Sequence, residues 1–279
     1  MFLNNIHRKQ FAVFYFIIFL ISFCWLFFSN SLLHQLNAVF FINRLDISVN
    51  FLLLTNLPKT VINSLMLQNV FDIMYILLAF LLCITVYVNS KFQYWLAITS
   101  VVFNLIYAIL LSILSPYSIE GFVGWLLLPL LFAFKSDKAF YYLLNLMRYF
   151  FILVFFSAAL WKIRTGAIFN MEEMSGILAR QHIAYITASP EDWFSKLVTY
   201  LVTNWRLSYF LYLGATLIEF IFCIGFFTKR YDNLLIIIFI VFLLFDFLLM
   251  KINYFSWVTF LGCFWYGRFA EPVYIKNKH

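Results

Sequence analysis

Residues 231–250 read YDNLLIIIFIVFLLFDFLLM. This run is almost entirely apolar, and it restricts the fold class more than any other segment. A helix needs about 20 apolar residues to cross the hydrocarbon core of a bilayer. Within the run, Asp232 stands in the first turn and Asp246 near the far end. The stretch therefore predicts a membrane-spanning helix that carries one carboxylate, Asp246, inside the membrane.

The rest of the chain has a composition that fits further helices of this kind. Of its 279 residues 65% are hydrophobic and 11% are charged, whereas a soluble domain carries about 25% charged residues. The net charge of +7 comes from cations that lie between apolar runs, as membrane topology requires, rather than in a patch that binds nucleic acid. We predict an all-α, polytopic membrane helix bundle that has the lipid bilayer as its solvent and no nucleic-acid partner.

The apolar runs predict about eight transmembrane helices, of which the last, Tyr254–Tyr266, is short. Pro129 in the fourth run predicts a local break that neighbouring helices tolerate. No repeat or Gly/Ser linker divides residues 1–279, so we predict a single integral membrane domain. The other runs are Phe11–Ser29, Asn69–Val88, Gln93–Leu114, Ile119–Phe134, Ala139–Trp161, Leu207–Phe227 and Tyr231–Met250.

Basic residues in the short loops orient the predicted bundle. With eight spans they fall on one side, which the positive-inside rule identifies as the cytoplasm. Both termini are then predicted to be cytoplasmic, in a bilayer such as the bacterial inner membrane. The opposite loops, Ser115–Ser118 and the turn after Met250, contain only Lys251. The basic residues are Arg8, Lys9, Lys91, Lys135, Lys138, Lys229, Arg230, Arg268, Lys276 and Lys278.

Two long segments, about residues 30–68 and 162–206, are predicted on the outer side. The second contains two amphipathic helices, which we expect to lie flat as a lid over the bundle. Glu172 and Glu173 belong to the first turn of the first lid helix, where acids interact favourably with the helix dipole. His182 follows in the same helix and is interpreted as a polar surface histidine.

Arg148 and Glu219 are charges at similar depth within their predicted spans. Each lies roughly 12–14 Å from the inner end of its span, at about 1.5 Å per residue. An unpaired charge at that depth costs about 3 kcal/mol or more. We therefore predict an intramembrane ion pair between Arg148 and Glu219, and a proton-carrying or ligand-binding role is the alternative.

Lys162 ends the run FFSAALWK, residues 155–162, and has two interpretations. A lysine that is partly desolvated beside acids can have a shifted pKa and act as a base. Asp72 and Asp246, near the outer ends of their spans, are the predicted acidic neighbours. Alternatively, Lys162 extends to the membrane surface and anchors the helix there.

The four cysteines all fall inside apolar runs. They form no CxxC pair and no Cys/His spacing typical of a zinc site. We therefore expect neither a disulfide framework nor a bound metal. The cysteines are Cys24, Cys83, Cys223 and Cys263.

Two stretches resemble the membrane domains of the vitamin K-dependent γ-carboxylase-like family, which includes the horizontally transferred transmembrane (HTTM) group. They read RYFFILVFFSAALWKIRTGAIFNMEEMSGIL from residue 148 and FLYLGATLIEFIFCIGFFTKRYDNLLIIIFIVFLLFDFLLM from residue 210. In that family a span ends in a lysine before an amphipathic segment, and a later span carries a Glu at mid-membrane. The resemblance covers about residues 144–266, and DoxX-like membrane proteins are more distantly similar.

The resemblance implies a role for Lys162. This residue aligns with the lysine that serves the carboxylases as the base toward reduced vitamin K. A hydrophobic pocket open to the outer leaflet and a quinone cofactor, menaquinone-like, are implied with it. Asp246 stands where many relatives have a histidine, so the carboxylation reaction itself is not carried over.

Three functions are therefore expected. The first is a quinone- or lipid-dependent enzyme that binds a lipophilic small molecule, with Lys162 as base and Asp246 and Asp72 tuning it. The second is a non-catalytic subunit, or a maturation or export partner of a larger complex, with a protein partner docked on the lid helices. The third is a small-molecule transporter, although no pair of Gly/Pro-interrupted spans in corresponding halves supports it.

Overall fold

The computed structural model of the chain describes residues 2–36, 47–114, 119–134 and 136–270. Helices dominate this part of the chain and no strand occurs in it, which confirms the all-α class. The predicted loop at 115–118, part of the segment at 30–68, and Lys135, Lys276 and Lys278 lie outside the described residues. The α-helices are α1 (Phe2–Phe28), α2 (Ile47–Leu54), α3 (Leu57–Ile62), α4 (Leu65–Tyr87), α5 (Gln93–Leu114), α6 (Val123–Leu127), α7 (Asp137–Arg164), α8 (Glu173–Ala188), α9 (Trp193–Thr203), α10 (Trp205–Ile221), α11 (Ile224–Phe227), α12 (Asp232–Met250), α13 (Phe255–Val258) and α14 (Phe260–Gly267).

Six helical segments among the described residues are long and apolar enough to cross a membrane. Their surfaces expose large apolar side chains such as Phe80, Leu153 and Ile237, which a lipid environment accommodates and water does not. The chain is therefore an integral membrane protein with several spans. The six segments are Ile6–Gln35, Leu65–Tyr87, Gln93–Leu114, Asp137–Arg164, Trp205–Phe227 and Asp232–Met250.

The chain folds into two compact units. The first unit comprises residues 1–147 and 254–279, and the second comprises residues 148–253. Helix α7 contributes its first turns to the first unit and the rest of its length to the second. All candidate site residues except Asp72 belong to the second unit.

In the first unit, α1 and α4 pack antiparallel through aromatic side chains. The Phe16 ring lies 5.5 Å from that of Phe80, and the Phe19 ring lies 4.6 Å from that of Tyr75, measured between ring centroids. Tyr75 in turn stacks on Tyr107 of α5 at 4.0 Å with the planes nearly parallel. Aromatic pairs of this kind add packing energy beyond their buried area.

The predicted fourth span, Ile119–Phe134, is a short and broken segment. A 3₁₀ turn over Ile119–Phe122 leads into α6, and a second 3₁₀ turn follows over Leu128–Phe132. Pro129 stands at the start of the second turn, and because it has no N–H group the α-helix does not continue through it. The prediction of the break is confirmed, whereas a continuous helix of spanning length is not found.

This broken segment follows α1 along its length. The Trp125 indole packs against Phe19 with ring centroids 4.9 Å apart. Further along, the Phe132 ring lies 6.1 Å from that of Phe11, and Arg8 donates to the Phe132 carbonyl oxygen at 3.3 Å. The segment therefore descends from the middle of α1 to its N-terminal end.

The predicted eighth span is likewise divided, into α13 and α14. At its start the Phe255 ring lies 6.1 Å from that of Trp25, near the C-terminal end of α1. At its end the Phe269 ring lies 4.4 Å from that of His7. These two contacts on α1 are about 27 Å apart along the helix axis, at about 1.5 Å per residue.

Gly124 permits the close packing of α6 against α13. Its backbone N–H donates to the Ser256 hydroxyl at 3.2 Å. A Cβ atom at position 124 would collide with the Ser256 carbonyl group, which is backbone and cannot move aside. The absence of a side chain is therefore what lets these two segments meet.

In the second unit, α7, α10 and α12 enclose an aromatic core. The Phe155 ring lies 5.0 Å from that of Phe222 and 5.6 Å from that of Phe242. Phe151, one turn earlier on α7, packs edge-on against Phe239 at 4.7 Å. These rings form the apolar layer beneath the end of α7.

Helices α8 and α9 form a hairpin that packs on α10 and on the end of α12. Gly166, with φ +77°, ends α7 in the left-handed conformation that glycine adopts without strain. The Asp192 carboxylate caps α9 by accepting from the Phe194 N–H at 3.0 Å. The hairpin core consists of Met174, Leu178, Phe194, Val198, Leu201, Tyr212 and Leu249.

Candidate functional site

Arg148 is bound to Asp232 and not to Glu219. Its Nε donates to Asp232 Oδ2 at 3.0 Å and its Nη2 to Oδ1 at 2.6 Å, and both side chains are fully buried. Nη2 also donates to the Thr228 carbonyl oxygen at 3.2 Å. The two-pronged contact uses the planar geometry of the guanidinium, and Asp232 lies in the first turn of α12, where a negative charge is favoured.

Glu219 is bound to Lys162. The Nζ atom of Lys162 lies 2.8 Å from each carboxylate oxygen of Glu219. The Glu219 side chain is 7% exposed and that of Lys162 is 23% exposed. The predicted Arg148–Glu219 pair is thus replaced by two separate ion pairs, each with a different partner.

The reason for this exchange is the offset between α7 and α10. Lys162 lies two residues before the end of α7, whereas Glu219 lies about 21 Å along α10 from its start at Trp205. Helix α10 must therefore begin well beyond the end of α7. The predicted Arg148–Glu219 pair requires the two residues to lie at equal depth, and this offset shows that they do not.

Tyr212 completes the surroundings of the Lys162 ammonium. Lys162 Nζ lies 5.1 Å from the centroid of the Tyr212 ring, in the range of a cation–π contact. Tyr212 and Glu219 are seven residues apart, two helical turns, and both belong to the buried face of α10. Tyr212 was not singled out from the sequence, although its spacing from Glu219 is the signal that would have identified it.

Asp246 is the second carboxylate near Lys162. It lies on α12, partly buried, within electrostatic range of both Lys162 and Glu219. Among the described residues, no hydrogen bond or ion pair engages the Asp246 carboxylate directly. Asp246 is therefore near Lys162, as predicted, but is not bound to it. The carboxylate that binds Lys162 is that of Glu219.

A cleft of about 460 Å³ opens beside the ion pair. Aromatic side chains, Trp161 and Tyr212, form part of its wall, and Lys162 also lines it. Asn170 and Glu173 provide its polar part. This volume is within the range of about 300–1,000 Å³ found for small-molecule sites.

Glu172 and Glu173 lie at the start of α8, as predicted, but differ in their surroundings. Glu173 lines the cleft, and its Oε2 accepts from Asn170 Nδ2 at 2.8 Å. Glu172 is exposed, and its N–H donates to Asn170 Oδ1 at 3.1 Å. Of the two, only Glu173 contributes to the cleft.

His182 is buried, which corrects its interpretation as a surface histidine. Its Nε2 lies 2.8 Å from the Leu249 carbonyl oxygen near the end of α12, and its ring packs edge-on against Phe194. Burial lowers the pKa of His182, and the positive charge of Lys251 acts in the same direction, while the hydrogen bond to Leu249 acts against them. His182 therefore joins the hairpin to α12 and has no place in the cleft.

Asp72 belongs to the first unit, where its carboxylate is fully engaged. Oδ1 accepts from the Tyr107 hydroxyl at 2.6 Å and from the Leu33 N–H at 3.2 Å. Oδ2 accepts from the His34 N–H at 3.0 Å and contacts His34 Nδ1 at 2.6 Å. The predicted role of Asp72 as a neighbour of Lys162 has no contact to support it, and the buried carboxylate holds the turn after α1 instead.

No family model, no curated protein and no solved structure matches this chain. Within the part of the chain that the structure describes, no group of three His, Cys, Asp or Glu side chains is placed to hold a metal ion. The contacts of Lys162, Glu219 and Asp246 and the cleft beside them are the features of the chain from which its function can be inferred.

Proposed function

We propose that the second unit is a membrane-embedded proton-transfer site for a lipophilic substrate, of the quinone- or lipid-dependent kind. The observation that carries the proposal is the buried Lys162–Glu219 pair at the wall of an aromatic cleft, with Asp246 as a second acid. One cation and two carboxylates leave a net charge of −1 when all are ionised. A single bound proton neutralises the group, so the cluster is suited to taking up and releasing one proton.

Lys162 acts in this proposal as a hydrogen-bond donor that holds a developing anion, rather than as a free base. An ammonium has three N–H donors, and the contacts with the two oxygens of Glu219 use two of them. The third is left for a substrate oxygen in the cleft. A preorganised donor in a site of low dielectric stabilises the negative charge that develops on that oxygen when its O–H bond breaks, and Asp246 or Glu219 receives the proton that leaves it.

The cleft favours a planar, weakly polar ring. Trp161 and Tyr212 offer aromatic surfaces, and Asn170 and Glu173 offer polar contacts at one side. The quinol form of a quinone, whose ring oxygens become charged when they lose a proton, suits both features. A menaquinone-like molecule is therefore the proposed ligand, in agreement with the resemblance of residues 148–178 to the γ-carboxylase-like membrane domains.

The proposed topology is eight crossings with both termini in the cytoplasm of a bacterial cell. Its support is that the two broken segments, 119–132 and 255–270, follow α1 over much of its length although neither is a continuous helix. Counting the first as a crossing returns Lys229 and Arg230 to the side of Lys91, and counting the second places Arg268 there as well, as the positive-inside rule requires. The cleft beside Lys162 then opens near the outer leaflet, under the α8–α9 hairpin acting as a lid.

Binding of a short-chain naphthoquinone to the protein in lipid nanodiscs tests the proposal. Saturable binding is expected, measured by quenching of tryptophan fluorescence. Lys162→Met is expected to weaken it about tenfold or more, which corresponds to about 1.4 kcal/mol, and Lys162→Arg is expected to retain binding because it keeps a cation with N–H donors. Lys91→Met, on an exposed turn, is the control. Equal affinities in wild type and Lys162→Met would refute the proposal.

A partner-binding role is the second candidate, and the hairpin surface favours it. Ile183, Trp193 and Tyr200 are large, exposed side chains on α8 and α9. Aromatic residues exposed in this way are typical of protein interfaces and of the membrane–water boundary. Purification in mild detergent distinguishes the two, because a partner held by the hairpin would be lost on Trp193→Ser while quinone binding would persist.

A further inference from the structure

We infer that the first unit binds an anionic phospholipid in a groove between α1, α4 and α14. The groove has a volume of about 670 Å³. Its lining includes Lys9, Gln10, Val13, Ile17, Tyr87 and Trp265. The site is independent of the cleft beside Lys162 and of the function proposed for it.

The lining residues of α1 form a single face of the helix. Lys9, Val13 and Ile17 recur at intervals of four residues, which places them in one row. The distance from Lys9 to Ile17 along the axis is about 12 Å, at about 1.5 Å per residue. The groove is therefore elongated parallel to the helix, as an acyl chain in a bilayer is.

Beyond Lys9 and Gln10 the lining of α1 is apolar, as the acyl chains of a phospholipid require. Ile6 lines the groove nearest the helix terminus, Lys9 and Gln10 follow it, and Val13 and Ile17 lie further along. Tyr87, the last residue of α4, and Trp265 of α14 border the groove and are exposed. Tyr and Trp at such positions are typical of the headgroup level of a membrane.

The cation that lines this end of the groove, Lys9, favours a negative headgroup. Lys9 Nζ lies 5.1 Å from the Tyr87 ring centroid, and no carboxylate of the described residues pairs with it. Arg8, by contrast, is buried and donates to backbone carbonyls, so it is not available to a phosphate.

A phosphate group beside Lys9 with acyl chains over Val13 and Ile17 would satisfy both parts of the groove at once. A zwitterionic lipid such as phosphatidylcholine also has a phosphate group, but its quaternary ammonium offsets the negative charge and weakens the attraction to Lys9. A single basic residue at a membrane surface contributes about fivefold to the binding of an anionic lipid. The geometry therefore predicts selectivity for headgroup charge rather than for chain length.

Native mass spectrometry of the delipidated protein, titrated with phosphatidylglycerol and phosphatidylcholine of equal chain length, tests the inference. Wild type is expected to retain phosphatidylglycerol about fivefold or more better than phosphatidylcholine. Lys9→Gln is expected to remove this preference, and Val13→Trp, which fills the groove, is expected to lower the binding of both lipids.

The control is Lys91→Gln, because Lys91 lies on the exposed turn after α4 and does not line the groove. It is expected to bind both lipids as wild type does. Three results would overturn the inference: no preference in wild type, an equal loss in Lys91→Gln and Lys9→Gln, or a protein dimer whose formation excludes lipid. Unchanged thermal unfolding temperatures would show that the variants are folded.

Discussion

Lys162 donates to both carboxylate oxygens of Glu219, with each Nζ–O distance at 2.8 Å, so that α7 and α10 are joined by an ion pair whose carboxylate is buried. Removing one member of such a pair leaves the other charge buried and unpaired, at a cost of about 3–5 kcal/mol. The pair is therefore a structural link as well as a candidate chemical group, and variants must separate the two roles.

Lys162→Met is expected to lower the free energy of unfolding by about 3 kcal/mol, because it strands the Glu219 carboxylate. Lys162→Met combined with Glu219→Leu is expected to recover most of the loss. Unfolding by detergent titration measures both. Lys196→Met is the matched control, since Lys196 and its partner Glu191 form an exposed pair that contributes little. A double variant no more stable than the single would contradict the pairing.

Arg148→Leu is expected to destabilise the protein more strongly than Lys162→Met, because Arg148 and Asp232 are both fully buried. Adding Asp232→Leu is expected to restore stability, whereas adding Glu219→Leu is expected to lower the stability further. The same detergent titration compares the two double variants. Rescue by Glu219→Leu instead would favour the pair predicted from the sequence over the observed one.

The stability of the hairpin is expected to fall in mild acid. The pKa of His182 is lower in the folded protein than its ordinary value of about 6.5, so below that value the unfolded chain binds more protons than the folded one. The stabilisation is complete above about pH 6.5 and is lost as the pH falls further.

His182→Gln is the control for this pH dependence, because its amide can still donate to the Leu249 carbonyl but does not titrate. Thermal unfolding between pH 7.5 and 5 measures the effect. The wild-type protein is expected to lose stability toward pH 5 more steeply than His182→Gln. Parallel curves for the two proteins would show that His182 is not the group responsible.

Gly124→Ala is expected to destabilise the first unit, because the new Cβ atom would collide with the Ser256 backbone. Gly214→Ala is the counterpart, since nothing lies near the corresponding Cβ position on α10. Within a helix this second change is expected to stabilise by about 1 kcal/mol. Opposite shifts in unfolding temperature are the expected result, and equal shifts would contradict the packing of α6 against α13.

The helical class and most of the spans could be predicted because the thickness of the bilayer dictates the length of an apolar run. The run at 231–250 is observed as α12, and Pro129 marks the break that was predicted from its missing N–H. Continuous helices at 119–134 and 254–266 could not be excluded, since hydropathy reports apolar length but not backbone continuity.

The ion pairs could not be predicted, since they depend on the axial offset of neighbouring helices. The predicted depths of Arg148 and Glu219 are each measured from the inner end of the residue's own span. They can be compared only if the inner ends of α7 and α10 lie at the same depth in the membrane. Asp232 lies at the start of α12, and nothing in the sequence predicts that the long side chain of Arg148 reaches it. Helical periodicity shows which face a residue occupies but not how far one helix extends beyond another.

The end of α12 depends on a segment that precedes it in the chain. The last carbonyl groups of a helix have no partner within the helix, and here Gln181 donates to that of Met250 while His182 engages that of Leu249. Both side chains lie on α8, which leaves the ribosome first. When α12 inserts into the membrane, the surface of α8 that binds its end has therefore already been synthesised. The second unit can then assemble in order from its N-terminal to its C-terminal end.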